Sequence, residues 1–498
     1  MKRAVFAVAL TLASVGAAEA ATITGTGGPD KLVGTSRTDI VRGRAGDDRI
    51  TVHLDAARDR VSCGRGRDVV TADLTDRAAI DCEVVSVELM RDPFGGPFSQ
   101  HATAVEPDSF AVGRTIVSVF QIGRLVDGGA DGIGFATSRN GGRTWRNGRL
   151  EGLDHSSDPV IAYDAVHRRW LAATLGIGDD GTELRVNGSP NGLTWAPPVR
   201  IQGNEDYDKE WIACDNGRAS PHRGRCYLAY LGLAADRLAV RRSTDGGRTW
   251  SPPVHPPATT ARTYVNGAFP VVRPDGTLVV LHTTYGLVTG EAEQIAAVRS
   301  TDGGLTFSEP VVVSALNPAQ VSAMRAPPFV SAETDAAGTI YAAWHDCLDA
   351  LCAGSELVLG VSRDGVGWSK PRRLPVGNPA VDHFIPGLAV DSATSGTTAR
   401  VAITYHSLEQ GCSLLFCRGV EVWLIRSSDG GARWTAPQRL TAQPMPIGWI
   451  ADTGIGRMLG DYISTSYVAG RPIPVFALAS APLFGSFRQS IFAATKIR

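Results

Sequence analysis

The sequence predicts an all-β protein made of repeated hairpins, and three observations carry that expectation. A short turn signature occurs six times between residues 138 and 434, at intervals that lengthen along the chain. An apolar strand phrase ending in Asp recurs ahead of the copies, and a second, nine-residue repeat fills the region after residue 21. Self-similarity of this kind marks an architecture in which each copy is one supersecondary unit.

The six copies read Ser138-Arg-Asn-Gly-Gly-Arg-Thr-Trp145, Ser189-Pro-Asn-Gly-Leu-Thr-Trp195, Ser243-Thr-Asp-Gly-Gly-Arg-Thr-Trp250, Ser300-Thr-Asp-Gly-Gly-Leu-Thr-Phe307, Ser362-Arg-Asp-Gly-Val-Gly-Trp368 and Ser427-Ser-Asp-Gly-Gly-Ala-Arg-Trp434. Asp or Asn before Gly favours a tight turn, because the side chain bonds nearby backbone N–H groups and Gly supplies positive φ. The closing aromatic is then free to bury beside the hairpin. Apolar β-rich runs such as 238–240 and 311–313 flank the turns, so each unit reads as strand, turn, strand.

The signature resembles the Asp box, Ser-x-Asp-x-Gly-x-Thr-Trp, of sialidase-like β-propellers. Copies at 243 and 300 fit best. Those at 189 and 362 are one residue short, Asn140 and Asn191 replace Asp, and Gly367 and Arg433 replace Thr, so varied turn geometry is expected. The resemblance spans roughly residues 100–498 and implies a β-propeller with its boxes on outer hairpins, away from the central funnel. It speaks to fold and leaves the chemistry open.

The strand phrase runs Asp158-Pro-Val-Ile-Ala-Tyr-Asp164 before Trp170, and Ile385-Pro-Gly-Leu-Ala-Val-Asp391 before Val401; Asp108, Asp215, Asp275 and Asp335 read as equivalents of the closing Asp. Phrase plus box makes one four-stranded blade. Counting phrases favours seven blades, the resemblance allows six, and residues 94–100 are the candidate for the closing outer strand.

Three segments follow: 1–20 as a signal peptide, 21–95 as a small repeat module and 96–498 as the propeller. Met1-Lys-Arg, an apolar stretch over 4–18 and Ala18-Glu-Ala20 have the charge, length and small-residue end of a secretory signal. No later apolar run is long enough to span a bilayer, so a secreted, extracellular product, expected to be monomeric, is implied. A formal net charge of -1 gives no electrostatic reason for a nucleic-acid or anionic-membrane partner. The eight cysteines fall as four close pairs, Cys63 with Cys82, Cys214 with Cys226, Cys347 with Cys352 and Cys412 with Cys417. Nearest-neighbour disulfides suit an oxidising compartment.

In the first module, Gly25-Thr-Gly-Gly-Pro-Asp30-Lys-Leu32-Val, Gly34-Thr-Ser-Arg-Thr-Asp39-Ile-Val41-Arg and Gly43-Arg-Ala-Gly-Asp-Asp48-Arg-Ile50-Thr are consecutive nonapeptides, and Cys63-Gly-Arg-Gly-Arg-Asp68-Val-Val70-Thr resumes the phase. They resemble the RTX calcium-binding repeat, which implies a parallel β-roll with calcium between its turns. Asp30, Asp39, Asp48 and Asp68 are the implied ligands, carboxylates being what a hard cation prefers. Arg37, Arg44, Arg65 and Arg67 crowd the turns, and a calcium-free roll closed by Cys63 and Cys82 is the alternative.

Segments leading into the innermost strands would line one mouth of the channel. They carry Asp158, Asp208-Lys-Glu210-Trp211, Arg262, Asn266, Arg325, Asp382-His383, Arg457, Asp461 and Tyr462. Asp and Asn at strand starts also cap turns, which is the structural reading of any one of them. The sialidase resemblance implies Arg262, Arg325 and Arg457 as a carboxylate clamp, with Asp158, Asp382, His383 and Asp461 beside them on the substrate. It implies Tyr462 as nucleophile, Glu210 as its partner and Asp208 as acid/base. The Phe/Tyr-Arg-Ile-Pro motif of sialidases has no counterpart in Ser99-Gln-His-Ala-Thr-Ala-Val-Glu-Pro107. The expected function is glycan-directed, a carbohydrate-binding protein or a glycoside hydrolase of exo-sialidase type. The alternative is a non-catalytic structural or adhesion module holding a protein or surface partner.

Overall fold

The computed structural model describes residues 21–498 except 54, 95–98, 202, 204–205, 258–262, 287–292, 318–319, 348–351, 353, 379 and 413–416. Strands dominate it, and the only helical pieces among the described residues are three short 3-10 turns. The signal-peptide segment 1–20 and Arg262 lie outside the described residues.

The N-terminal module is a parallel two-sheet coil. One sheet stacks Thr22–Thr24, Ile40–Ala45, Arg60–Arg65 and Arg77–Ala78; the other stacks Lys31–Val33, Arg49–Thr51, Val69–Ala72 and Val84–Met90. Alternate residues Val41, Ile50, Val61, Val70 and Val85 meet between the sheets, around the buried Cys63–Cys82 disulfide. The repeat's Asp side chains build the turns. Asp48 accepts from the Asp30 backbone N–H at 2.9 Å and Asp68 from that of Asp48 at 2.8 Å, while Asp59 and Asp76 serve Asp39 and Asp59 on the other edge.

Beyond residue 104 the strands form six sheets. One of them joins two successive units through the single Ala130–Ser156 pair and another continues the coil, so seven antiparallel units follow one another. Their first strands are Ala104–Val112, Ser156–Asp164, Tyr207–Cys214, Thr263–Val272, Ser331–Thr334, Val381–Val390 and Ser464–Val468. Each packs on the next in that order, and Ser464–Val468 packs back on Ala104–Val112. The apolar core is accordingly a set of seams between neighbouring units. Burying both faces of each sheet this way is what its long apolar strands require.

Closure of the seventh unit departs from the expectation. Its outer strand is Val84–Met90, pairing antiparallel with Ser486–Ile497, and not residues 94–100, of which 95–98 fall outside the described residues. Val84–Met90 is also the last parallel rung of the coil, so one sheet runs from module to ring. The aliphatic residues of 84–90 suit both roles.

All six turn signatures share one geometry. The Ser hydroxyl accepts from a Gly N–H at 2.8–2.9 Å, and the Asp or Asn Oδ1 accepts from backbone N–H groups that follow. The varied geometry expected of the short copies at 189 and 362 is absent: losing one residue moves the bonded N–H groups up by one and keeps the pattern. Each turn leans on the preceding unit, Gly247 on Leu171 and Gly365 on Val279 for example. The boxless seventh unit is tied to the sixth instead by the coil, where Ser86 donates to the Leu440 carbonyl at 2.8 Å and Thr71 accepts from the Ala442 N–H.

Three of the four expected disulfides form: Cys63–Cys82, Cys214–Cys226 and Cys412–Cys417. The fourth does not. Cys347 and Cys352 stand as neighbouring thiols, and burial followed by the adjacent Cys347 pushes the Cys352 thiol up to about 12.

Candidate functional site

Each of four consecutive inner strands breaks register once. Pairing shifts across Glu106, Asp158, Lys209 and Gly267, and all four have left-handed φ of 48 to 64°. A bulge of this kind re-aims a side chain out of the alternation. Here it turns Glu106, Asp158 and Lys209 toward one another: the Lys209 ammonium lies 3.0 Å from Asp158, 2.7 Å from Asp461 and 3.7 Å from Glu106. Arg325 grips Asp461 with two bonds of 2.7 and 2.5 Å. Glu106 also accepts from the Gln121 amide and from the Asp461 N–H at 3.1 Å.

Six of the sequence-predicted residues therefore gather: Asp158, Asp208, Glu210, Arg325, Asp461 and Tyr462. The narrow cavity they surround is lined by Asp158, Lys209, Glu210, Trp211, Phe269 and Tyr462, with Phe329 beside Gly267. Trp211 packs on Phe269 at 4.4 Å and edge-on to Tyr462 at 5.1 Å between centroids, while Tyr264 and Tyr285 stack at 4.9 Å.

Others stay apart. Arg457 donates to the Ile450 carbonyl at 3.0 Å and lies 3.6 Å from Asp452. Asp382 caps the Ser355 N–H at 2.9 Å, and the His383 ring packs on Tyr405. Burial drops His383 to about 4, leaving it neutral. These two fasten the sixth unit to the segment of Ser355 in the fifth. Asp108, read as a strand-ending Asp, lies mid-strand and binds the Ile161 N–H of the next unit at 2.8 Å.

Electrostatics divides the cluster. Burial works against Asp158 and Asp461, but Lys209 outweighs it, with Arg325 adding to the effect at Asp461, and both are held below the usual carboxylate range. Burial opposes the Lys209 charge too, and Asp158, Asp461 and Glu106 reverse that, keeping it protonated. Burial wins at Glu106, pushed up to about 8, and at the partly exposed Asp208, pushed up to about 6. Glu210 is raised well above normal by burial and by Asp158. It is 1% exposed, and neither carboxyl oxygen has a hydrogen-bond partner among the described residues. The Tyr462 hydroxyl donates to the Pro159 carbonyl at 3.0 Å, and burial plus the surrounding carboxylates Glu106, Asp158 and Glu210 raise its pKa. The arrangement thus offers ionised and protonatable carboxyls side by side, the pairing that acid/base chemistry uses.

The BNR/Asp-box repeat family matches residues 241–252. No curated protein matches the chain. Among solved structures, a protein of unknown function from Dyadobacter fermentans is 15% identical, covering 66% of this chain and 96% of its own, with a TM-score of 0.43. The Hadza microbial sialidase Hz136 is 14% identical over 68% of this chain and 65% of its own, TM-score 0.43. An α-L-arabinanase of Penicillium chrysogenum, complexed with arabinobiose, is 15% identical over 65% and 93%, TM-score 0.44.

Sequence reasoning missed Glu106 and Gln121, and named Lys209 without assigning it a role. A signal for Glu106 was present: Glu106-Pro107 repeats the Asp158-Pro159 pair at the same place in its strand, as does Ile385-Pro386.

Proposed function

We propose that the seven units form a seven-bladed β-propeller, secreted and directed at extracellular glycans, with carbohydrate bound where the Lys209 cluster meets the Trp211 and Phe269 rings. One observation carries the reading: bulges in successive inner strands deliver carboxyls and aromatic faces to a single cavity, the lining that sugar hydroxyls and C–H faces need. Hydrolysis would use the protonatable, partly exposed Asp208 as acid and an ionised neighbour, Asp158, on the other side of the bond. The exo-sialidase form of the reading has less support, because Arg325 is committed to Asp461 and Arg457 to Ile450.

The test is a panel of fluorogenic aryl glycosides, a sialoside included, with the purified protein and its Asp208→Asn variant, alongside a glycan array. Turnover lost in Asp208→Asn supports an enzyme, and array binding without turnover supports a lectin. Silence in both would leave the adhesion role, for which the coil fused to the seventh unit is the supporting feature.

The coil is proposed to bind calcium. Asp48 and Asp68 each keep one buried oxygen without a partner, and Asp48 Oδ2 converges with the Cys63 carbonyl on the space beside Gly43. Among the described residues no three metal-ligating side chains gather, so carbonyls must complete the shell. Calorimetric titration of calcium should give binding that Asp48→Asn weakens; no heat in the parent protein would end the proposal.

A further inference from the structure

The central cavity holds more acid than its own cations satisfy. Among the described residues Lys209 is the one cation in its lining, and it is taken up by Asp158 and Asp461; Arg325, outside the lining, is bound to Asp461. Glu210 remains, enclosed and with both carboxyl oxygens unpartnered. A buried carboxyl in that condition loses its water without compensation. Trp211, Phe269, Phe329 and Tyr462 line the same cavity, and it is the face of such a ring that attracts a cation. A carboxylate ligand would meet Asp158 and Glu210 with no guanidinium in the lining among the described residues, whereas a protonated amine would meet a carboxyl and aromatic rings together.

We infer that this pocket recognises a carbohydrate bearing a free, protonated amine, its ammonium seated against Glu210 and the sugar ring resting at the mouth by Trp211. The inference rests on the glycan reading above and fixes the class of sugar. It also accounts for the narrowness of the cavity, which suits a substituent better than a whole ring. The raised pKa of Glu210 fits a site awaiting its counter-charge.

Isothermal titration of the full chain with four probes separates the outcomes: a glucosamine tetrasaccharide, its fully N-acetylated form, a sialylated trisaccharide and methylammonium. The expected result is that the free-amine sugar binds at least about tenfold tighter than the acetylated one, and that Glu210→Gln removes the preference. Trp211→Ala, at the partly exposed mouth, should weaken the amino sugar as well, which guards against misfolding of one variant. Tighter binding of the acetylated or sialylated probe overturns the inference and leaves the glycan reading standing. Methylammonium binding with no sugar bound overturns the glycan reading and the sugar with it. No binding by any probe overturns the inference, and the glycan array then decides the glycan reading separately.

Discussion

The outer turns and the central cluster use the same side chains for opposite ends. In the turns, burial works against Asp245 and Asp302, but bonds from Thr249 or Thr306, from Ser and from backbone N–H groups together outweigh it and hold them at about 2. At the centre, burial pushes Asp208 up to about 6 and Glu106 up to about 8. A carboxylate in a turn has fixed N–H dipoles aimed at it and water behind it; one in the channel has lost its water and shares too few cations. The turns therefore spend charge on stability, and the centre keeps charge in a state that costs stability. That asymmetry is the physical case for placing function at the centre.

The largest test strikes the central cation. Lys209→Met leaves Asp158, Asp461 and Glu106 buried with Arg325 as their nearest compensation, and should cost about 3–5 kcal/mol in urea unfolding. A loss under about 1 kcal/mol would show that the acids simply protonate, and the contrast with the turns would weaken. The turns answer more mildly. Ser300→Ala removes the acceptor for the buried Gly304 N–H and should cost about 1–2 kcal/mol, and Asp302→Ala about 1 kcal/mol at its exposed position.

The pH dependence should split the same way. Asp245 and Asp302 have depressed pKa values, so their stabilisation is present above about 3.8, the usual Asp value, and is lost as pH falls through about 2. Asp108 has a raised value, so its contribution favours the fold below the usual Asp range and is lost as pH rises through about 7. Thermal unfolding across pH should show both limbs, and Asp108→Asn, which keeps an acceptor for the Ile161 N–H, should flatten the upper one. An unchanged upper limb would assign it to other interior acids.

Much of the fold was legible because its determinants are local. Each turn signature names its own hydrogen bonds, so six turns in register lead to sheets in register, and the aliphatic alternation of the nonapeptides leads to the coil. The closing strand was not legible, because pairing of Val84–Met90 with Ser486–Ile497 joins the two ends of the chain and nothing local in 84–90 names its partner. The centre was half legible. Asp158, Asp208, Glu210 and Tyr462 were visible as polar residues at strand starts, but the bulge that turns Glu106 inward is a backbone event whose one trace is a following Pro. That Arg325, expected in the clamp, is held by Asp461 was not legible for a related reason: the two are distant in sequence.

The finest test concerns how much a turn needs its charge. Asn140 stands where other copies have Asp, yet its Oδ1 accepts from the Arg143 and Thr144 N–H groups at 3.1 and 2.9 Å, and its Nδ2 donates to the Thr144 hydroxyl at 2.8 Å. In the Asp copies that last bond reverses, with Thr249 and Thr306 donating at 2.6 Å. A rotating hydroxyl accommodates either sense, so Asn140→Asp conserves every bond and adds one negative charge facing two N–H dipoles in solvent. Stability at pH 7 should change by no more than about 0.5 kcal/mol, with a slight gain expected, and a new acid limb should appear below about 4. A gain well above about 1 kcal/mol would mean that charge, more than geometry, holds these turns, and would widen the distance between the rim and the centre.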